Sequence, residues 1–351
     1  MQQELLAGKF VRNAWYVAGW ARELVAGQML ARTVLDEPVL LFRKSDGTVT
    51  AVEDRCPHRF APLNIGKLLP GDRVRCAYHG LEFDAAGRCV HNPHGSGSIP
   101  AQGHIAHYPV VERHRALWVW MGDRDADPAK IPDFSVLDDP PELADTKLDF
   151  IKVDANYKLI IDNLLDLSHV AFLHGATLGN PGSVAATVDV DEDGDDLLVS
   201  RFASGIETPR VHQLLWPDHP GTVDSFNRMR WMAPSTLRLF VGVCEPGQPW
   251  ESGTGFYALH LLTPESERST HYFFTAVRFG MRTTDVEVNK SLQESIAKTR
   301  RHAFEFEDAP VIEAQQQVLD KARRPLDPAF LSVDAGTVRF RRAIQRLEAA
   351  D

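Results

Sequence analysis

Two short segments constrain this chain more than anything else in it. Cys56-Pro57-His58 and Cys76-Ala77-Tyr78-His79 give C-x-H, seventeen intervening residues, and C-x-x-H. Each segment supplies one thiolate and one imidazole. A [2Fe–2S] centre with two cysteines on one iron and two histidines on the other needs this supply, and its neutral imidazoles raise the reduction potential above that of an all-cysteine cluster. Facing loops would let both thiolates reach one iron and both imidazoles the other. The competing use is a Cys₂His₂ zinc site. Structural zinc sites usually pair like ligands, C-x₂₋₄-C before H-x₃₋₅-H, and the interleaved order departs from that. Cys89 and Cys244 match no partner spacing and read as small packed hydrophobes.

The rest of the composition is that of a globular protein. A length of 351 residues suggests about two domains. Hydrophobic residues make up 44% of the chain, enough for a sizeable core. The balance of 38 Lys+Arg against 48 Asp+Glu gives −10, which argues against a nucleic-acid binder, because phosphate neutralisation needs a clustered basic excess. Four cysteines make no disulfide scaffold. No apolar run approaches the roughly 18 residues of a spanning helix, and the start lacks the basic-then-apolar order of a signal peptide. A cytoplasmic protein without a membrane segment is expected.

Periodicity divides the chain. Residues 38–43 and 48–53 flank Ser45-Asp46-Gly47 as a hairpin, residues 76–83 and 88–91 read as a second hairpin, and Leu117-Trp118-Val119-Trp120 is a short strand. Residues 122–145 are acidic and carry four prolines, as a connecting segment would. The expected organisation is a β domain over 1–121, that connector, and an α+β domain over 146–351. In the second domain, residues 157–174 have helical spacing, strands are expected near 197–202, 237–244, 257–263 and 271–278, and residues 287–319 form a helix interrupted near Pro310.

A second constellation lies in the first of those helices. Asn163, Asp166, His169 and His174 fall within twelve residues. A non-haem ferrous site uses two histidines and one carboxylate, with open positions for O₂ and substrate. Asp166 and His169 share a helix face. His169 and His174 are five apart and diverge by about 140° on a regular helix. Shared ligation therefore requires the helix to widen, kink or end between them. Taken alone, two helical histidines are more often surface or core residues than ligands. The polar cluster Asp162, Asn163, Asp166 and Ser168 in an apolar segment favours a site, since burying such groups is costly otherwise.

Together these residues resemble the Rieske non-haem iron oxygenases, in the group of vanillate and dicamba O-demethylase oxygenase components, with toluenesulfonate methyl-monooxygenase nearby. Phe10 to Ala18 looks like their opening, Cys56 to Arg59 and Cys76 to Phe83 like their cluster loops, and Asn156 to Leu164 like their iron helix. The resemblance implies an α+β protein: an all-β Rieske [2Fe–2S] domain followed by a helix-grip (START-like) antiparallel-sheet catalytic domain. It implies cluster ligation by Cys56, His58, Cys76 and His79, and mononuclear Fe(II) held by His169, His174 and Asp308. Spacing alone does not select Asp308 over Glu305, Glu307 or Glu313, and Asp308 also suits a helix N-cap before Ala309-Pro310. By the resemblance, Asn163 lies near the open coordination position. The Asp166 carboxylate links His169 to a cluster histidine, His79, of a neighbouring subunit in a homotrimer, consistent with metal-bound imidazoles donating to carboxylates.

The same resemblance implies electrons from NAD(P)H through a reductase or ferredoxin, and O₂-dependent monooxygenation, as O-demethylation, of a small aromatic acid in aromatic catabolism. Arg55, Arg59, Lys67, Arg73 and Arg75 could dock an acidic ferredoxin or form a solvated loop face. Alternation puts His260 on one face with Ala258 and Leu262. The family match turns His260 towards the substrate pocket, although a satisfied core histidine fits as well. Leu239 stands where the dicamba enzymes have a polar contact, which argues against dicamba itself, and Arg238 is expected to point away. Ring dihydroxylation remains the alternative within the enzyme class. An electron carrier would leave about 225 residues unexplained.

Overall fold

Short apolar runs separated by Gly, Pro and Asp turns make the first part of the chain β throughout. The computed structural model describes residues 10–350 except Ala176, Asn180 and Pro220. It divides into two compact units: Arg12–Ile131 with Thr263–Ser266, and Pro132–Leu262 with the described residues up to Val11 and from Glu267 on. Of the acidic, proline-rich segment, residues 122–131 fall in the first unit and 132–145 in the second.

The first unit holds three antiparallel sheets. Ala116–Met121, buried at every position, is the central strand of one, between Ala14–Trp20 and Val110–Arg113. Glu37–Arg43 and Val49–Glu53 form the expected hairpin, with Gly47 at φ +86° in its turn, where glycine carries no Cβ penalty. Lys67–Leu69, Arg73–Arg75, Glu82–Phe83 and Cys89–His91 form the small sheet beside the cysteines. Residues 76–81, expected in a strand, are a loop instead. Cys76 N donates to Leu81 O and Gly80 N to Cys76 O, so these amides are spent within the loop.

The second unit is built on one seven-stranded antiparallel sheet. Its strands are β1 (Asp149–Val153), β2 (Thr187–Asp193), β3 (Asp196–Glu207), β4 (Thr222–Met232), β5 (Thr236–Cys244), β6 (Thr254–Ser266) and β7 (Ser269–Phe279). They run in the order β1-β7-β6-β5-β4-β3-β2. The helices are α1 (Tyr157–Leu165), α2 (Val170–Leu173), α3 (Arg210–Leu215), α4 (Val286–His302), α5 (Ala309–Lys321) and α6 (Ala335–Ala350). One core joins Met229, Trp231 and Leu237 of the sheet to Leu159 and Ile160 of α1 and Phe340 and Ile344 of α6. Trp231 and Phe340 meet edge to face at 5.0 Å. This all-β unit followed by a helix-covered antiparallel sheet is the fold the resemblance implies.

Candidate metal centres and substrate cavity

The two cysteine loops are near copies of each other. Cys56 N donates to Ala61 O at 2.9 Å and Phe60 N to Cys56 O at 2.9 Å; Cys76 N donates to Leu81 O at 2.9 Å and Gly80 N to Cys76 O at 3.1 Å. The fifth residue of each is left-handed, Phe60 at φ +58° and Gly80 at +72°. These turns bury both thiols and bring the His58 and His79 rings to 4.5 Å, edge to face. Burial pushes the Cys56 thiol up to about 11 against the pull of the His58 backbone N–H, and the adjoining Cys76 pushes it the same way. Tyr78 N points at Cys76 Sγ at 3.4 Å. The buried Nδ1 of His79 has no hydrogen-bond partner. Such an atom is costly unless something outside the protein takes its lone pair, so this two-thiol, two-imidazole set fits an iron–sulfur cluster. Two of the five nearby basic residues are already paired, Arg55 with Glu53 and Arg73 with Glu82.

The helix expected over 157–174 is broken twice. Asn156 caps α1 by accepting from Lys158 N at 3.0 Å, and α1 ends at Leu165. Asp166 then leaves helical geometry, and its carboxylate accepts from Ser168 N at 2.9 Å to start a 3₁₀ turn, Leu167–His169. Only the single turn of α2 follows before His174 ends it. His169 ends the 3₁₀ turn and His174 ends the four residues of α2, so no regular α-helix runs through both histidines; the break itself lies just before His169, at Asp166, and not between the two. His174 O then accepts from the amides of Thr177, Leu178 and Gly179. A Cβ at Gly179 would lie 2.3 Å from Val170 O, so this close return of the chain admits only glycine.

The third member comes from the far end of the chain. Between α4 and α5 the helix widens into a π segment, Ala303–Asp308. Pro310 has no N–H for the carbonyl four residues back and its ring crowds that position, which explains a widened turn just before it. Asp308 is helical and makes no capping bond, so it is not an N-cap. Its Oδ1 lies 3.2 Å from His174 Nε2 and 3.6 Å from His169 Nε2. One ligand atom from each of the three residues falls within 4.8 Å of the others. Asp308 is buried, and its ionic partners among the described residues are these two imidazoles. A buried carboxylate facing two ring nitrogens fits a divalent metal.

Both imidazoles are held from behind. His174 Nδ1 donates to Glu307 Oε2 at 2.7 Å, and the Thr177 hydroxyl donates to the same oxygen at 2.8 Å. His169 Nδ1 donates to the main-chain carbonyl of Asp166 at 2.5 Å. His169 Nδ1 thus meets the Asp166 main chain, while Asp166 Oδ1 accepts from Ser168 N. Asn163 Nδ2 donates to Asp308 Oδ1 at 3.2 Å. Burial pulls the His169 pKa down; at His174 the same pull is outweighed by Asp308 and Glu307, which raise it. Sequence reasoning missed Glu307 and Thr177 as holders of His174.

The three residues line a cavity of about 170 Å³ against the inner face of the sheet. Its floor follows the strand register, with Met229, Leu239 and Ala258 side by side in one row and Arg201, Asn227, Val241 and Phe256 in another. His260 is buried and lines the cavity; its Nδ1 meets the Tyr272 hydroxyl at 2.6 Å and its Nε2 has no partner. Burial pulls His260 down to about 3, so it is neutral. On α3, His212 is equally buried, with neither ring nitrogen paired, and burial alone pulls it down to about 4. Arg238 points away, towards Asp133 O. Sequence reasoning missed Arg201, Asn227 and His212. Alternation along Leu197, Val199, Arg201 and Ala203 was the available signal for the first.

A thiol–imidazole set that fits an iron–sulfur cluster and an imidazole–carboxylate set that fits a divalent metal, on these two domains, are the marks of a Rieske non-haem iron oxygenase, and the chain belongs to that family. Residues 14–109 match the Rieske [2Fe-2S] domain, and residues 153–350 match the vanillate O-demethylase oxygenase C-terminal domain. The chain is 39% identical to the oxygenase component of dicamba O-demethylase from Stenotrophomonas maltophilia, over 97% of this chain and 98% of that one. It is 38% identical to the iron-sulfur subunit of a toluene-4-sulfonate monooxygenase system from Comamonas testosteroni, with the same coverage. The crystal structure of dicamba monooxygenase bound to 3,6-dichlorosalicylic acid superposes with a TM-score of 0.90 at 38% identity, covering 97% of this chain and 98% of that one. The protein is therefore the oxygenase component of a multi-component system with a [2Fe–2S] cluster and a non-haem iron, supplied by a reductase or ferredoxin. No helix among the described residues is long and apolar enough to cross a membrane.

Proposed function

We propose that this oxygenase O-demethylates a small methoxylated aromatic acid, with Cys56, His58, Cys76 and His79 holding the cluster and His169, His174 and Asp308 holding the iron. The observation that carries this is the convergence of those last three side chains within 4.8 Å at the wall of the apolar cavity. Ferrous iron bound there would supply the reductive activation of O₂ that puts one oxygen atom into a substrate C–H bond. For an aryl methyl ether, O₂, two electrons and two protons give the phenol, formaldehyde and water. Two relatives point to aromatic acids as the class: one is named for toluene-4-sulfonate, and the other is seen with 3,6-dichlorosalicylic acid.

The chain's own residues position the reactants. Glu307 and the Asp166 carbonyl keep the protons of His174 and His169 on Nδ1, which leaves both Nε2 lone pairs turned to Asp308. Asn163 steadies Asp308. The sheet rows exclude water. The Tyr272 hydroxyl, pushed far up by burial, keeps its proton and donates it to His260 Nδ1, so that Nε2–H faces the substrate. Asp166 also stands where electrons enter, in a cytoplasmic homotrimer that sets the His79 side of one chain's cluster against Asp166 of the next.

A screen of methoxybenzoates with a surrogate reductase, following formaldehyde, tests this. The expected result is one formaldehyde per O₂ consumed in productive turnover. A cis-diol carrying both atoms of labelled O₂, without formaldehyde, would identify ring dihydroxylation instead.

A further inference from the structure

Arg201 occupies a position that disfavours an arginine. Strand β3 turns Leu197, Val199, Arg201 and Ala203 to its buried face, and Arg201 is only 5% exposed. Its cross-strand neighbour on β4 is Asn227, and both line the cavity that contains His169, His174 and Asp308. Among the described residues no hydrogen bond or ion pair reaches either side chain. Asp166 pulls electrostatically on the guanidinium without forming an ion pair. Guanidinium cannot shed its proton to escape burial. A desolvated, unpaired cation is costly, and an anion arriving with a ligand offsets that cost.

The sheet register says which part of a ligand Arg201 could meet. Arg201, Asn227, Val241 and Phe256 form one row across four strands, while Leu197, Trp231, Leu237 and His260 form another. The rows are four residues apart on each strand, about 13 Å. Arg201 with Asn227 and His260 thus mark different ends of the cavity. A guanidinium fork matches the paired oxygens of a carboxylate or sulfonate, and an amide N–H₂ beside it adds a donor.

We infer that Arg201 and Asn227 form an anion subsite that binds the carboxylate or sulfonate of an aromatic acid substrate, leaving His260 to an uncharged oxygen of the same molecule. This deepens the proposed function and rests on it only in taking the cavity as the substrate site.

Calorimetric binding of 4-methoxybenzoate, 4-methoxybenzenesulfonate and the neutral 4-methoxybenzamide to anaerobic holoprotein tests it, with no turnover needed. Both anions should bind at least about tenfold tighter than the amide. Arg201→Gln should abolish that preference by weakening the anions and leaving the amide within about twofold, and Arg201→Lys should keep part of it. Asn227→Leu should reduce the preference, which serves if Arg201→Gln does not fold. His260→Gln should weaken all three ligands and leave their ratio. Equal binding of acid and amide by the unmodified protein, survival of the preference in Arg201→Gln, or its loss in His260→Gln would each overturn the inference. Charge-selective binding without formaldehyde release would defeat the demethylation reading and leave this subsite standing.

Discussion

At the scale of single residues, chemistry decided what the sequence could disclose. Cys56, His58, Cys76 and His79 stand out in the sequence because few uses other than a cluster demand two thiols and two imidazoles in that interleaved order. Asp308 was not distinguishable from Glu307 by type or spacing, and the structure shows why: both serve the centre, one facing the two Nε2 atoms and the other holding His174 Nδ1. His212 gave no signal, since a lone histidine beside apolar neighbours carries no spacing pattern. Its burial has a consequence for stability. In the unfolded chain it takes a proton near pH 6.5; folded, it resists until about 4. Between those values the unfolded state binds more protons, so stability falls on acidification, by about 2 kcal/mol from pH 6.5 to 5 for this one group. His212→Phe should flatten the acid dependence of catalytic-domain unfolding by about that amount, measured by tryptophan fluorescence in urea at several pH values. An unchanged pH dependence would mean that His212 is not held neutral.

At the scale of elements, two of the patterns that failed lie at the cavity. Strand β4 escaped detection because its inward positions read Val223, Ser225, Asn227, Met229 and Trp231, so polar cavity residues interrupt the apolar alternation. Strand β5 keeps an apolar inward row, and within 257–263 strand β6 departs from one only at His260; both were found. The helix expected over 157–174 was over-extended because Asp166 fits helical spacing, and its capping bond to Ser168 is invisible to periodicity. Pro310 was visible as an interruption, but not as a widening that leaves the helix continuous. On a regular helix adjacent residues point about 100° apart, yet Glu307 and Asp308 both reach the histidines. Pro310→Ala should restore a regular turn and turn Asp308 away. Ferrous iron should then bind about tenfold more weakly, by titration of iron-depleted protein with the cluster intact, while thermal stability holds or rises. Undiminished iron affinity would show that the widening does not depend on the proline.

At the scale of the whole molecule, composition and periodicity gave two domains of the right classes, and motif spacing gave the cluster. The second centre needed three-dimensional closure: His169 and His174 follow the helix break at Asp166, Asp308 lies in a widened helical turn more than a hundred residues on, and only packing of α1 against the helix carrying Asp308 brings them together. On this reading one chain carries both centres on those seven side chains. Iron, zinc and acid-labile sulfide counted on purified, reconstituted protein and on its Asp308→Ala variant test it most directly. About three irons and two sulfides per chain are expected in the unmodified protein, and about two irons and two sulfides in Asp308→Ala with the cluster's EPR signal unchanged. Zinc in place of iron, or a third iron that survives Asp308→Ala, would contradict it.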